Sequence, residues 1–252
     1  MPLSQSPLIL ATDLDGTFAG GSPDDRRRLQ ALLAGHPDAL LIYVTGRSVA
    51  ATRELMAEAA LPAPDVLIAD VGTTVVRGTD FSPVSALERE IEARWPGGDV
   101  VRARLEGLDI VVEQPLDVRR RVSYWLAAGA AMETALARVG ERLDGLSVEV
   151  IGSADTYIDV LPAGVNKGTT LRRVLAWLDR PERDVVVAGD TLNDLALFET
   201  GLRGVVVGNG EPGLIERVAG WAHVYVAAGH GAAGILEGLG HFGFIQEASH
   251  GE

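Results

Sequence analysis

The chain has 252 residues, of which 47% are hydrophobic, 23% charged and 5% aromatic, a balance that supports one large domain or a domain carrying an insert and excludes a disordered polymer. It contains no cysteine, which removes disulfides, thiolate nucleophiles, iron–sulfur clusters and cysteine zinc sites, so oxygen ligands must hold any metal. With 22 basic against 35 acidic residues the formal net charge is −13, which argues against a nucleic-acid or anionic-membrane partner and otherwise reads as a solvated surface.

No apolar run approaches the roughly 18 residues of a membrane span. Residues 1–6 lack the basic and apolar regions of a secretory leader, so a cytoplasmic location is expected. Residues 8–12 form a first apolar strand that ends in Asp13 and meets a loop signal at Gly16. Ser22, Pro23, Asp24 and Asp25 cap and charge the start of a helix over 23–34, which Gly35 and Pro37 stop. Residues 39–44 give a second apolar strand, 47–60 an alanine-rich helix ending before Pro62, 66–69 a third strand, and 75–77 a short β-branched stretch after the turn at 71–74. Unbroken apolar runs alternating with helices are the pattern of a parallel sheet covered on both faces.

The rhythm then changes. Helices are expected over 86–95, 99–106 and 131–143, an alternating strand over 118–126, and two further strands over 147–151 and 156–161, a composition suited to a separate α+β unit. From Lys167 the first rhythm resumes: helix to 178, strand 184–188, helix 192–199, strand 204–207, helix 212–219, strand 223–226 and helix 232–239, with 246–252 expected to fray. The expected fold is α/β, a doubly wound parallel-sheet core built from residues 1–82 and 161–252 with an α+β cap inserted over 83–160.

In doubly wound folds ligands bind where the strands stop. The first strand ends Thr12-Asp13-Leu14-Asp15-Gly16-Thr17. Carboxylates at i and i+2 face one side of an extended chain, which suits a nucleophile and metal ligand beside an acid/base, although Asp and Gly are also ordinary turn residues. The second ends Thr45-Gly46-Arg47-Ser48, a hydroxyl and free N–H groups before a helix, which accepts a phosphate or equally caps that helix. The strand 184–188 is followed by Gly189-Asp190-Thr191-Leu192-Asn193-Asp194, an oxygen-rich set of the kind Mg²⁺ takes, with N-capping the plainer alternative. Lys167 opens a helix, where a cation opposes the macrodipole, which favours a neutralising role in an acidic site over a surface lysine. His36, His230 and His250 adjoin turn signals and no histidine pair has ligand spacing, so a histidine metal site is not expected.

These four segments, in this order, resemble the motifs of the haloacid dehalogenase superfamily of aspartyl-phosphate phosphatases. The insert resembles the α/β cap of its sugar-phosphate phosphatases. A narrower likeness, to bacterial and plant sucrose-phosphate phosphatases and next to mannosylfructose-phosphate phosphatases, rests on Thr45-Gly46-Arg47-Ser48, Ser123-Tyr124-Trp125-Leu126, Asp159-Val160-Leu161-Pro162, Asn166-Lys167-Gly168, Phe198-Glu199-Thr200, Ala233-Gly234-Ile235-Leu236 and Gly240-His241-Phe242. Gly16 departs from the sucrose-phosphate enzymes, which usually carry a larger residue there.

The resemblance implies that Asp13 attacks phosphorus and that Asp15 protonates the leaving sugar oxygen and later deprotonates water. It implies Mg²⁺ held by Asp13, the backbone carbonyl of Asp15 and Asp190, with Asn193 and Asp194 nearby. Thr45, Gly46, Arg47, Lys167 and Asn193 would bind the substrate, a sugar phosphate, foremost sucrose 6-phosphate. A phosphosugar mutase and a non-catalytic sugar-phosphate sensor are the alternatives, the latter opposed by the presence of both Asp13 and Asp15. All four motif segments lie outside the insert, which leaves it the choice of sugar. Within its strand 118–126, Arg121, Ser123 and Trp125 share one face and Arg120, Val122, Tyr124 and Leu126 the other. The first face is open either to a sugar or simply to solvent.

Overall fold

The computed structural model describes residues 7–36 and 38–245; the expectations for residues 1–6, for Pro37 and for 246–252 fall outside them. In chain order come β1 (Ile9–Thr12), α1 (Pro23–Ala34), β2 (Leu40–Val44), α2 (Val49–Glu58), β3 (Val66–Ala69), β4 (Thr74–Arg77) and α3 (Ser85–Glu92). A second unit follows with α4 (Gly98–Leu105), β5 (Val111–Glu113), β6 (Val122–Leu126), α5 (Met132–Leu143), β7 (Val148–Ser153) and β8 (Tyr157–Pro162). The chain returns through α6 (Lys167–Trp177), β9 (Val185–Gly189), α7 (Leu195–Phe198), β10 (Arg203–Val206), α8 (Pro212–Val218), β11 (Val224–Val226) and α9 (Ala232–His241).

The larger sheet has seven strands in the order β11-β10-β9-β1-β2-β3-β4, parallel except for β4, which runs antiparallel to β3. From β1 the chain winds one way to β3, and from β9 the other way to β11. The crevice at the carboxyl ends of β1 and β9 is therefore the switch point of the sheet. Thr12 lies opposite both Tyr43 and Ala188, so Asp13, Thr45 and Asp190 leave the sheet along one edge.

Every residue of β1 and β9 is buried, which explains why neither alternates in polarity. Leu10 and Val186 pack with Leu29, Ile235 and Leu239 of α1 and α9 on one face. On the other, Ile9, Ala11 and Val187 pack with Leu171, Val174, Leu197 and Leu214 of α6, α7 and α8. Each large apolar side chain so buried contributes about 1.5–3 kcal/mol, which makes the strands beneath the crevice its rigid floor.

The smaller sheet is antiparallel, ordered β5-β6-β8-β7. Val122, Tyr124, Ile158 and Val160 bury one of its faces against Val101, Leu105, Val139 and Leu143 of α4 and α5. The opposite face, with Arg121, Tyr157 and Asp159, looks into the crevice of the core.

Several expectations change in detail. The strand 118–126 begins only at Val122, because Arg119, Arg120 and Arg121 are drawn into ion pairs with Glu92, Glu88 and Asp70. β5 was not expected, since the apolar run at Ile110-Val111-Val112 is too short to stand out. The helix 192–199 divides into a 3₁₀ turn, Leu192–Asp194, and the short α7, because Asp194 folds back to accept the N–H groups of Asp190 and Thr191. α3 lies inside 83–160, yet Leu87 and Ile91 are buried with Val84 and Val165 in the core.

At the start of α6 the Asn166 side chain accepts the Thr169 N–H at 2.9 Å, and the Thr169 hydroxyl oxygen accepts the Asn166 N–H at 3.0 Å. This reciprocal cap sets the direction from which Lys167 enters the crevice. Asn166→Ala is expected to lower the unfolding free energy by about 0.5–2 kcal/mol, seen as a shifted urea midpoint with an unchanged slope. An unmoved midpoint would remove the cap from the account of how Lys167 is placed.

Candidate active site

Asp13 leaves β1 with its N–H bonded to the Ala188 carbonyl at 2.9 Å, which fixes the carboxylate against the end of β9. The wholly buried Lys167 Nζ donates to Asp13 Oδ1 at 2.7 Å, Asn193 Oδ1 at 2.7 Å and Asp194 Oδ1 at 2.5 Å, so all three of its protons are used. The other oxygen of Asp194 accepts the N–H groups of Asp190 and Thr191 at 3.0 and 3.1 Å. Asp190 Oδ1 accepts the Thr17 hydroxyl at 2.9 Å. Thr17 is brought there by a kink in Leu14–Phe18, where Gly16 takes a φ of +74°, a conformation open to glycine at little cost.

Asp13, Asp190 and Asp194 each present an oxygen within 4.8 Å of the others, and all three are buried. Three carboxylates against one ammonium leave an excess of two negative charges. Burial raises the Asp13 carboxyl well above its ordinary range, with Lys167 pulling the other way. Asp190 is pushed up to about 7, first by burial and then by Asp194. Burial would lower Lys167, but Asp13 and Asp194 outweigh it and hold the amine as ammonium above its ordinary value. An all-oxygen cluster, buried and short of two positive charges, fits a divalent cation such as Mg²⁺.

Beside this cluster lies a cavity of about 480 Å³ whose wall includes Asp13, Asp15 and Arg47 from the core and Arg121, Tyr157 and Asp159 from the smaller sheet. Asp13 and Asp15 thus face one space, as their spacing suggested. The Asp15 carboxylate, 54% exposed, is gripped by Arg47 through Nε at 2.7 Å and Nη2 at 2.8 Å, and that bond raises the guanidinium pKa further. Gly46 and Asn193 also border the cavity. Thr45 is wholly buried, its hydroxyl oxygen accepting the Arg47 N–H at 3.1 Å. The plain cap of α2 is Ser48, which accepts the Ala51 N–H. A larger groove of about 750 Å³ between α1 and α9 is lined by none of Asp13, Asp15, Thr45, Arg47, Lys167 and Asp190. The smaller cavity is the stronger candidate, because Asp13, whose carboxyl burial raises, shares its wall with Asp15 and Arg47 beside the acidic cluster.

The sequence reading missed Asp70 and gave Asp159 no role of its own. Asp70 stands where β3 stops, so the strand-end rule applied to the third strand would have found it. Asp159 is an acid in the otherwise apolar run of β8, a signal for a buried charge with a partner. Of the cap face Arg121, Ser123 and Trp125, the first two are buried and share Asp159, whereas Trp125 is 40% exposed beside Tyr157, with which it is in register.

Over residues 6–243 the chain matches the family described as sucrose-6F-phosphate phosphohydrolase. It belongs to that family. A sucrose-phosphatase of Synechocystis sp. PCC6803, solved in complex with sucrose and phosphate, is 31% identical with a TM-score of 0.87, covering 95% of this chain and 99% of that one. A haloacid dehalogenase-like hydrolase of Bacillus subtilis, 17% identical with a TM-score of 0.68 over 97% of this chain and 96% of that one, shares the fold. A glucosylglycerol-phosphate synthase of Pseudomonas anguilliseptica is 40% identical over 94% of this chain, which spans 31% of that protein's length. The mannosylfructose-phosphate phosphatase of Agrobacterium fabrum is 31% identical over 93% of this chain and 96% of its own. The chain is thus a sucrose-phosphohydrolase family member of haloacid dehalogenase fold, and among its described residues no helix is long and apolar enough to cross a membrane.

In this family member Asp13 and Asp190 bind protons more strongly than free carboxyls do, so a cation entering the cluster would have to displace them. Below about pH 7 the affinity of the cluster for a divalent cation, tested with Mg²⁺, is expected to weaken toward tenfold per unit for each proton displaced, with Asp190, at about 7, accounting for one of them. Titration calorimetry in buffers of different ionisation enthalpy would show the released proton, and an affinity independent of pH between about 5.5 and 7 would contradict it. The stability sign follows: a carboxyl raised from 3.8 to about 7 makes the metal-free fold lose stability as pH rises through that window.

Proposed function

We propose that the protein is a cytoplasmic, Mg²⁺-dependent phosphomonoesterase that hydrolyses a sugar phosphate, foremost sucrose 6-phosphate, to the sugar and inorganic phosphate. The observation that carries this is Asp13, held through Oδ1 by Lys167 with Asp15 on the wall of the same cavity. Oδ2 of Asp13 has no hydrogen bond among the described residues and is the atom assigned to the attack on phosphorus. As that bond forms, the phosphorus–oxygen ester bond breaks and the sugar oxygen takes the electron pair and a proton from Asp15. Asp15 then removes a proton from the water that attacks the aspartyl-phosphate, which returns Asp13 as carboxylate and releases phosphate. Both oxygens of Asp15 are engaged by Arg47, so Asp15 must part from Arg47 before it can reach the leaving oxygen. Lys167 and the Thr45 segment stabilise the charge on the transferring group. Asp13, Asp190 and Asp194, with Asn193 and the Asp15 carbonyl, would hold Mg²⁺, which supplies neutralisation of the phosphoryl oxygens.

The cap, residues 83–160, would choose the sugar through the face that carries Arg121. A second reading takes a phosphorylated glucosylglycerol as substrate. It is favoured by the 40% identity to a glucosylglycerol-phosphate synthase, set against the full-length match to a mannosylfructose-phosphate phosphatase.

Phosphate release from sucrose 6-phosphate, mannosylfructose phosphate, glucosylglycerol phosphate and glucose 6-phosphate, with Mg²⁺ and with chelator, tests these readings. Activity is expected on a glycosyl phosphate and to vanish in chelator; full activity without metal, or phosphoryl transfer within the sugar in place of release, would overturn the proposal. Asp13→Asn is expected to abolish turnover while leaving the thermal midpoint close to wild type, and near-wild-type turnover would remove Asp13 as nucleophile. Asp15→Asn should slow turnover by about 10²–10⁴-fold, with a smaller loss on aryl phosphates whose leaving groups need no proton.

A further inference from the structure

The turn from β3 to β4 is held in an uncommon shape. Asp70, Val71 and Gly72 have φ of +53°, +58° and +104°, and for the β-branched Val71 this is a costly conformation that surrounding bonds must impose. Those bonds reach the active site. The Asp70 N–H donates to the Arg47 carbonyl at 2.9 Å and the Val71 N–H to the Thr45 carbonyl at 3.0 Å. The Gly72 carbonyl accepts the Thr170 hydroxyl of α6 at 2.8 Å. A Cβ on Gly72 would stand 2.5 Å from the Asn166 carbonyl, so the turn is wedged between the phosphate-motif loop and the helix that carries Lys167.

From this core turn the Asp70 side chain reaches into the other domain. Its Oδ1 lies 3.3 Å from Arg121 Nη2, while Oδ2 accepts the Thr74 hydroxyl at 2.9 Å. Arg121 Nη1 donates to the Gly46 carbonyl at 2.9 Å and lies 3.5 Å from Asp159 Oδ1, which also accepts the Ser123 hydroxyl at 2.5 Å. The side chains of Asp70, Arg121 and Asp159 are 7%, 6% and 9% exposed, and Arg121 and Asp159 stand on the cavity wall. Arg121 Nε is buried and has no partner. One guanidinium between two carboxylates leaves this end of the cavity with an excess negative charge, which repels a phosphate. Lys167 and Arg47 are where the phosphate is drawn, so a neutral, hydroxylated group suits the surroundings of Arg121 even though that residue touches Gly46 of the neighbouring loop.

We infer that Asp70 is a specificity-determining positioning residue, which acts across the boundary between core and cap by fixing the Arg121 guanidinium to donate to hydroxyls of the substrate's sugar. This rests on the sugar-phosphatase reading above. Removing the carboxylate charge leaves Arg121 with the Gly46 carbonyl and with Asp159, the longer of its two ion pairs, and lets the Nη2 side of the guanidinium turn away from the bound sugar. The hydrogen bonds given above for Asp13, Asp15 and Lys167 involve neither Asp70 nor Arg121.

The test compares wild type, Asp70→Asn, Arg121→Met and the double variant on sucrose 6-phosphate and on 4-nitrophenyl phosphate, with Mg²⁺. Asp70→Asn is expected to raise KM for sucrose 6-phosphate by about 10- to 100-fold, the worth of a hydrogen bond to a charged group. Its kcat should stay within about threefold and the KM for the aryl phosphate should move far less. Adding Asp70→Asn to Arg121→Met should change little more, since both remove one interaction, and Asp70→Glu should recover part of the loss. Equal losses on both substrates would overturn the inference, because Asp70 would then serve only the turn beneath Thr45. An unchanged KM would overturn it as well. Calorimetric binding of sucrose and of inorganic phosphate keeps the result independent of turnover: weaker sucrose binding with phosphate binding intact supports the role, and equal weakening of both refutes it. If the wild type released no phosphate from any sugar phosphate, the functional reading would fall, while binding of sucrose by wild type but not by Asp70→Asn would still uphold the role of Asp70.

Discussion

A buried ammonium holds this molecule's active site together. Lys167 has no contact with solvent and sits in the first turn of α6, where burial and the helix dipole both work against its charge. What compensates is a set of oxygens from distant parts of the chain: Asp13 after β1, and Asn193 and Asp194 after β9. The orientation of Asp13, the fold-back of Asp194 and the entry of α6 are therefore one arrangement, and a change in one is felt by the others. Its acid excess also suits a divalent cation, which would join Asp13 and Lys167 in a single electrostatic unit.

The smaller domain is attached to the core by a different means. Its apolar cluster is separate from the two that flank the large sheet, and much of its hold on the core is polar. Arg119 pairs with Glu92, Arg120 with Glu88 and the Thr73 carbonyl, Arg121 with Asp70 and the Gly46 carbonyl, and Glu149 accepts from Asn166. A polar seam of this kind permits relative motion more readily than an apolar one.

Much of this was legible in the sequence because the core strands are buried on both faces and bounded by strong turn signals. The run 66–69, the helix 23–34 with its Ser22 cap, and the strand-end positions of Asp13, Thr45 and Asp190 all follow from local patterns. What escaped depends on contacts between residues far apart. The late start of β6 reflects arginines captured by the core, the broken helix after Asp190 reflects the Asp194 side chain competing for backbone N–H groups, and α3 joins the core through Leu87 and Ile91 despite following the last core strand before the cap. The Asp15 carboxylate is another case: its spacing from Asp13 places it at the cavity, but nothing local says that Arg47 will hold it.

That last pair has a bearing on how the protein answers its ionic surroundings. Asp15 and Arg47 are 54% and 37% exposed, well within reach of mobile ions, whereas Lys167 and Asp194 are wholly buried. Dissolved salt weakens an exposed pair far more than a buried one. Rising ionic strength therefore loosens the pair between Asp15 and Arg47 while the bonds of Lys167 to Asp13 and Asp194 persist. The half-exposed guanidinium is thus the part of the cavity wall that dissolved ions can rearrange, whatever the acidity of the protein as a whole.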